Sequence, residues 1–208
     1  MAERFLETYL TPAVLAAQRA AYGRALVVQG SPARDPLGPD EAGFVAARDS
    51  FYVASVNADG WPYVQHRGGP PGFLTVLDPH TLAFADLRGN RQLITAGNLV
   101  GDDRVALLLM DYPARTRLKL NGRARIVEAA ADPALAARLA PPGPTTGPKR
   151  HVERLVVIDV LSFDWNCPAW ITPRYTTAEV EEVVGPLRAR VAELERLLAE
   201  RGAREEGP

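Results

Sequence analysis

The sequence predicts a mainly β protein of the α+β class, in which six or seven antiparallel strands form a small barrel with helices on its flanks. Short apolar or alternating segments recur between about residues 51 and 161, turn-forming sequences join them, and few helical patterns intervene. A chain of 208 residues with 47% hydrophobic residues can bury one core of this kind. We expect a helical lead-in over residues 1–50 that packs on the barrel, the barrel over 51–175, and a helical tail over 176–208.

Two helical patterns precede the barrel. The helix predicted over Thr11–Ala21 begins with an N-cap threonine followed by a proline at the first helical position. After a loop rich in Pro, Gly and Asp over residues 30–40, Asp40 is expected to cap a short helix that ends near Arg48.

The strand patterns open with two hairpins. A β-branched and aromatic segment over 51–57 runs into the turn sequence Asn57–Gly60, and the returning strand covers 61–67. After a bend rich in Gly and Pro, a second hairpin joins 73–77 to 81–86. Both connections favour antiparallel pairing.

The remaining patterns complete the barrel. We predict a short helix over Arg91–Ala96 that ends at Gly97 and Asn98, and a strand over 105–110 that is buried on both faces because it is apolar throughout. The next strand alternates cleanly, with Leu118, Leu120, Gly122, Ala124 and Ile126 on one face and Arg117, Lys119, Asn121, Arg123 and Arg125 on the other. A helix over 132–139 and a last strand over 155–161 follow.

The tail has a coiled-coil pattern. Apolar residues recur at alternating spacings of four and three, at Val180, Val184, Leu187, Val191, Leu194 and Leu198. Thr176 and Glu179 form a candidate capping box at its start. Because Gly185-Pro186 interrupts the pattern, we expect two helical segments or a kink.

Composition excludes several classes of protein. The net charge of −1 argues against a nucleic-acid binder, and no apolar segment is long enough to span a bilayer. The N-terminus shows no signal-peptide pattern and the single Cys167 cannot form an intramolecular disulfide, so we expect a cytoplasmic protein. No His, Cys or Asp cluster has metal-ligand spacing, so no metal site is predicted.

Two arginine-bearing loops are the main candidate binding elements. In residues 88–92, Asn90 suits an N-cap, so the amides that follow it and Arg91 would form an anion site. In residues 65–69, Arg67 at a strand end precedes two glycines, which let a planar ligand approach the backbone. The plainer interpretations are a capped surface helix, which the spacing alone favours slightly, and glycines that serve only the bend.

Two further features could contact a ligand. The cationic face from Arg117 to Arg125 carries no acidic residue, which suits either an anionic partner or water. Trp165 and Asn166 follow the last strand, where they could stack on and hydrogen-bond a ring system or simply close the core. No side chain is assigned as a catalytic acid, base or nucleophile.

These segments together resemble a known family. Phe51–Val64, FYVASVNADGWPYV, is similar to the first hairpin of the pyridoxamine 5′-phosphate oxidase-like family of FMN-binding split barrels. Thr81–Gln92, TLAFADLRGNRQ, resembles the family's phosphate-loop strand, and Leu118–Val127 resembles its long strand with a central glycine. The resemblance covers roughly residues 42–161 and implies a split barrel.

The resemblance also implies a cofactor and a partner. In this family FMN lies at a homodimer interface, so both subunits line each site. The resemblance assigns the flavin ring and ribityl chain to Gln65, His66, Arg67 and Gly68, the phosphate to Asn90, Arg91 and Gln92, a reach from the second subunit to Arg117 and Lys119, and a late ring contact to Trp165 and Asn166.

One departure from the family pattern concerns the substrate. True pyridoxamine phosphate oxidases carry a C-terminal arginine–histidine signature, and the corresponding Trp165–Tyr175 lacks it. The leading hypothesis is therefore a homodimeric FMN-dependent oxidoreductase of unassigned substrate. The alternatives are a flavin-binding sensor or storage module without turnover, and a split barrel that uses deazaflavin or haem.

Overall fold

The structure is a computed structural model that describes residues 3–28, 30, 32–87, 92–141, 151–165 and 168–205. The chain divides into two compact units, each described by itself. The first comprises Met1–Asp111 with Thr116–Ala169, and the second comprises Tyr112–Arg115 with Trp170–Pro208.

The first unit contains one antiparallel sheet of seven strands. The strands are β1 Ser50–Val56, β2 Pro62–Gly68, β3 Thr75–Asp78, β4 Thr81–Leu87, β5 Arg104–Asp111, β6 Thr116–Glu128 and β7 Val152–Trp165. Their order in the sheet is β2-β1-β5-β6-β7-β4-β3. Both predicted hairpins, β1–β2 and β3–β4, are present, and the predicted fold class is confirmed.

The described residues contain six helices. They are α1 Glu3–Tyr9, α2 Pro12–Tyr22, α3 Pro39–Ala46, α4 Ile94–Gly101, α5 Pro133–Leu139 and α6 Thr177–Glu205. Thr11 caps α2 by accepting from the Val14 amide, as predicted. None of the described helices combines the length and the apolar character needed to cross a membrane.

Aromatic packing shows that the sheet curls around one core. The rings of Phe51 on β1 and Phe84 on β4 lie 5.3 Å apart, although β5, β6 and β7 all stand between β1 and β4 in the strand order. Phe73 stacks on Phe51 at 5.5 Å. Strands near the two ends of the order therefore face each other across a shared interior.

Gly122 sits where β6 and β7 approach most closely. The pairing shifts from Asn121 opposite Ser162 to Gly122 opposite Val160, so β7 carries a bulge. A Cβ on Gly122 would lie 2.3 Å from the backbone oxygen of Asp159. Only glycine fits this position without moving β7.

The prediction that the fifth strand is buried on both faces is wrong. Val105, Leu107 and Leu109 of β5 are buried, while Ala106 and Leu108 alternate with them on a partly open face. Apolar residues on the outer face of a strand are expected where another element or another chain covers that face.

The helix caps also differ from prediction. Gly38, not Asp40, is the N-cap of α3, because the Glu41 carboxylate accepts from the Gly38 amide at 2.9 Å and Pro39 takes the first helical position. The helix predicted over Arg91–Ala96 instead begins at Ile94 and continues through Gly97 and Asn98.

In the second unit, α6 does not divide into two segments. It runs without interruption from Thr177 to Glu205 with Pro186 inside it, so the missing proline amide costs hydrogen bonding without ending the helix. The predicted capping box is present: the Glu179 carboxylate accepts from the Thr176 amide at 2.7 Å, and the Glu179 amide donates to the Thr176 hydroxyl at 3.2 Å.

Substituting Gly122→Ala tests the close approach of β6 and β7. The added methyl group overlaps the Asp159 carbonyl, so we expect the free energy of unfolding to fall by about 1–3 kcal/mol or more. Urea unfolding measures this change. The control is Gly43→Ala inside α3, where a Cβ meets nothing within 4 Å and a gain of up to about 1 kcal/mol is expected. Equal effects of the two substitutions would contradict the interpretation.

Candidate functional site

A cavity of about 260 Å³ opens between β2, β4, α4 and β7. We call it the α4 cavity. Its lining consists of Tyr63, Gln65, Arg67, Asp86, Leu87, Gln92, Leu93, Ile94, Thr95, Ala96, Glu153 and Arg154. It is mostly polar, which sets it apart from the barrel core.

Asp86 organises the floor of the α4 cavity. It follows Leu82 and Phe84 on the core face of β4, and it is only 8% exposed. One carboxylate oxygen accepts from Arg67 at 3.0 Å, and the other accepts from the Nε and a terminal nitrogen of Arg154 at 3.1 and 3.0 Å. A buried carboxylate requires such partners, because desolvation otherwise disfavours its charge.

Arg67 forms an ion pair between strands that lie near opposite ends of the strand order. It belongs to β2, at one end of the strand order, whereas Asp86 belongs to β4, next to the other end. Its guanidinium also lies over the Phe84 ring, 5.6 Å from the centroid. Among the described residues its buried Nε finds no acceptor, so one donor at the site is left without a protein partner.

The first turn of α4 lines the same cavity. Leu93, the N-cap, has a positive φ of 54° and gives no side-chain cap, so this residue supplies none of the first helix amides with a side-chain acceptor. The Thr95 hydroxyl donates to the side-chain oxygen of Gln65 at 2.8 Å, and the side-chain amide of the buried Asn98 donates to the Ser55 hydroxyl at 2.9 Å. These two bonds hold α4 against β2 and β1, and they explain why Asn98 lies inside the helix.

A second cavity of about 250 Å³ adjoins the first and shares Arg67 and Leu87 with it. His66, Gly68, Gly69, Pro70, Phe73 and Leu139 are among the other residues that line it. The His66 ring meets the edge of Tyr52 at 5.5 Å between centroids. Arg67 thus stands between a polar cavity and a more apolar one.

The structure brings several predicted residues together and leaves others undescribed. Gln65, Arg67 and Gln92 line the α4 cavity, while His66 and Gly68 line its neighbour. The predicted phosphate residues Asn90 and Arg91 lie outside the described residues, as does Asn166. Their assignment stays a prediction.

The other predicted residues do not line the α4 cavity of their own protomer. Lys119 pairs with Asp164 at 2.8 Å and lies over the Phe5 ring at 4.6 Å. The Trp165 indole donates to Glu41 at 2.7 Å. The buried Nε of Arg117 has no acceptor among the described residues. The reach of Arg117 and Lys119 from a second subunit and the ring contact of Trp165 stay predictions.

The cationic strand face is partly neutralised. Asp164 pairs with Lys119, and Asp103 pairs with Arg123, so two of the four cations on this face of β6 have a carboxylate partner from another element. No acidic residue interrupts the strand face itself, but neighbouring segments supply the charges. Periodicity within one strand could not show this.

Sequence reasoning missed Asp86, Thr95 and Arg154. A signal for Asp86 was present, because it continues the alternation of Leu82 and Phe84 and a charge on a core face needs a partner. Arg154 was missed because the last strand was predicted to begin at Leu155. No local signal marks Thr95, whose role depends on where α4 docks.

Asp86→Asn should destabilise the protein. It leaves Arg67 and Arg154, whose side chains are 21% and 17% exposed, without their shared carboxylate, so we expect the free energy of unfolding to fall by about 3 kcal/mol. Urea unfolding at neutral pH measures the loss. The control Asp159→Asn breaks a pair with Arg34, whose side chain is 46% exposed, and should cost at most about 1 kcal/mol. A neutral Asp86→Asn variant would contradict the proposed role of this carboxylate.

Known proteins resemble part of this chain. No curated protein matches the sequence. A putative pyridoxamine 5′-phosphate oxidase from Lactobacillus delbrueckii is 22% identical, with a TM-score of 0.46 over 62% of this chain and 94% of that chain. A conserved hypothetical protein from Mycobacterium tuberculosis is 20% identical, with a TM-score of 0.48 over 69% and 94%. An F420 reductase is 21% identical, with a TM-score of 0.44 over 61% and 98%.

The family assignment comes from a family model. The model described as pyridoxamine 5′-phosphate oxidase matches residues 39–162, which is more than half of the chain and spans β1 to β6, α4 and most of β7. The α4 cavity lies entirely within the matched residues. The chain belongs to the pyridoxamine 5′-phosphate oxidase-like family.

Proposed function

We propose that this protein is a homodimeric flavoprotein that binds FMN at the α4 cavity and acts as an oxidoreductase on a substrate not yet assigned. One observation carries the proposal: the first turn of α4, without a side-chain cap, lines a cavity into which Arg67 and Arg154 also converge. Uncapped helix amides bind phosphate, and guanidinium groups donate to the oxygen and nitrogen atoms of a polar ligand.

The charges of the cavity suggest how FMN divides between its walls. Arg67 and Arg154 are balanced by Asp86 and by Glu153, which accepts from Arg154 at 3.2 Å. These walls are therefore close to neutral and suit the polar ribityl chain and ring edge better than a phosphate dianion.

The phosphate then requires further cations. Residues 88–91 join Leu87 to Gln92, two residues that line the cavity, and they include Arg88 and Arg91. We place the phosphate on Asn90, Arg91 and Gln92 together with the first amides of α4. The ring and ribityl chain are assigned to Arg67 with Gln65, His66 and Gly68.

The size of the site supports a ligand of this class. The two cavities that share Arg67 have volumes of about 260 and 250 Å³, and together they fall within the range of about 300–1,000 Å³ typical of small-molecule sites. The second cavity, with Phe73 and Leu139 in its lining, offers the apolar surface that a ring system needs.

The chemistry divides between cofactor and protein. Bound FMN supplies the redox chemistry, which its N5 position carries. The chain supplies binding and orientation: Asp86 fixes Arg67 and Arg154, and the bond from Thr95 to Gln65 holds α4 against β2. No described side chain is assigned as an acid or base.

An exposed apolar surface supports the homodimer. A hollow of about 730 Å³ lies on the outer faces of β1, β2 and β5, where Tyr52, Ala54, Val64, Ala106 and Leu108 line it together with residues of α1 and β6. Val64 is 61% exposed and Tyr52 is 39% exposed. We propose that a second copy covers this hollow, that Arg117 and Lys119 reach toward the partner's flavin, and that Trp165 and Asn166 supply a ring contact.

Cofactor content tests the first part of the proposal. Purified protein titrated with FMN should develop bound-flavin absorbance and quench flavin fluorescence, and mass spectrometry of the molecule released on denaturation should identify FMN. Arg91→Ala should weaken FMN binding about 10- to 100-fold, the loss expected for one charge-assisted phosphate contact. The control is Arg19→Ala on exposed α2, which should leave the affinity unchanged.

Several results would contradict this assignment. Absence of flavin binding, release of a deazaflavin or haem, or equal affinities of the two arginine variants would each reject it. Reduction of the bound flavin followed by turnover of an acceptor would support an enzyme, whereas binding without turnover would identify a sensor or storage module. In that second case the assignment of the FMN site would be correct and the assignment of oxidoreductase activity would be wrong.

Charge placed on the apolar hollow should weaken the dimer. Val64→Glu buries two carboxylates at a twofold interface, so we expect the monomer–dimer Kd to rise at least about tenfold, measured by analytical ultracentrifugation. Val27→Glu is the control, because Val27 is 76% exposed and lies outside the hollow. A Kd that responds equally to both substitutions would show that another surface holds the dimer.

A further inference from the structure

The C-terminal helix α6 carries an apolar stripe that the FMN proposal does not use. Its residues fit a heptad repeat in which Val184, Val191 and Leu198 take position a, and Val180, Leu187 and Leu194 take position d. Because the helix is continuous from Thr177 to Glu205, the stripe lies along one face of it.

The stripe is open to solvent. Leu187, Val191 and Leu198 are 62%, 53% and 68% exposed. The helix break that the sequence suggested does not interrupt the stripe, because Gly185 and Pro186 take positions b and c, away from a and d. An amphipathic helix with this much exposed apolar surface normally has a partner.

Two sequence features identify that partner as a second copy of α6 in parallel orientation. Valine at two of the three a positions, combined with leucine at two of the three d positions, favours a two-stranded parallel coiled coil. At the flanks, Arg190 takes position g and Glu195 takes position e of the next heptad. A parallel pair sets Arg190 against Glu195 of the second copy, twice by symmetry.

The alternative orientation places like charges together. In an antiparallel pair that sets Val191 against Leu187 of the second copy, g positions face g positions, so Arg190 would face Arg190 of the second copy. In the single helix Arg190 bonds Glu193 at 2.6 Å, an exposed pair that contributes little, while Glu195 has no ion-pair partner in the part of the chain that the structure describes. Glu195 is thus available for pairing.

We propose that α6 forms a parallel, in-register two-stranded coiled coil with α6 of a second copy. This goes beyond FMN binding and involves the second unit alone. The coil would link two chains whether or not the barrel binds a cofactor. It also gives each residue at position a the same residue of the second copy as its neighbour.

Disulfide cross-linking in the full-length protein tests the orientation. In a background of Cys167→Ser, the single variants Val184→Cys and Leu198→Cys are oxidised with oxidised glutathione and analysed by non-reducing electrophoresis. The two sites are about 21 Å apart along the helix. Only a parallel in-register pair therefore brings each introduced cysteine next to the same cysteine of the second copy. The matched control Ala189→Cys occupies position f on the opposite face and should form little disulfide-linked dimer.

The outcomes separate cleanly. Rapid dimer formation by both variants, with little by Ala189→Cys, supports the coil. Cross-linking of Val184→Cys only when it is mixed with Leu194→Cys shows the antiparallel pair. No cross-linking, or equal cross-linking of Val184→Cys, Leu198→Cys and Ala189→Cys, shows that the stripe does not pair with the stripe of a second copy. Either of these results overturns the proposal, and so does the antiparallel pattern. FMN titration of the same variants reports separately on the barrel.

A charge swap checks the flanking pairs. Arg190→Glu added to Val184→Cys should slow cross-linking at least about threefold, because the introduced carboxylate would face Glu195 of the second copy. Adding Glu195→Arg should restore the rate. Failure of the second substitution to rescue the first would reject the predicted pairing of these positions.

Discussion

The arrangement of the first unit depends on the carboxylate of Asp86 and the two arginines that share it. Arg67 comes from β2 and Arg154 from β7, so a single buried group ties one end of the strand order to strands near the other. None of the residues of β2 is fully buried, so this ion pair ties β2 itself to β4, while Phe51 and Phe84 pack between β1 and β4. The interior of the barrel is therefore apolar at one side and ionic at the other, and the ionic side is where the α4 cavity opens.

The same interaction constrains what the cavity can bind. An arginine that already neutralises a carboxylate contributes less to binding an anion than a free one, because its charge is compensated. Arg67 thus has the better geometry for a planar or hydroxylated part of a ligand, held beside the Phe84 ring. The phosphate of the proposed FMN must depend on the loop between Leu87 and Gln92 and on the α4 amides. In the proposed site, ion pairs position the ligand and other donors bind its phosphate.

Two apolar surfaces include exposed residues, and they differ in kind. The hollow on β1, β2 and β5 is a sheet face, rimmed by Lys119, that suits a twofold interface. The stripe on α6 is a heptad seam that suits a coiled coil. A homodimer with twofold symmetry can contain both kinds of contact, because each surface would meet a copy of itself. The two proposals are nevertheless independent, since each rests on its own unit.

The sequence by itself determined the antiparallel β fold, both hairpins, the Thr11 cap and the capping box at Thr176, because periodicity and turn chemistry act over a few residues. Through a resemblance to a family it also named Gln65, Arg67 and Gln92, which line the α4 cavity. Only the tertiary structure decided that Asp86 and Arg154 line the same cavity, that Asn98 continues α4, and that β5 has one open face. Those features depend on contacts between residues 43 to 68 positions apart or on what covers a strand, and no local pattern records either.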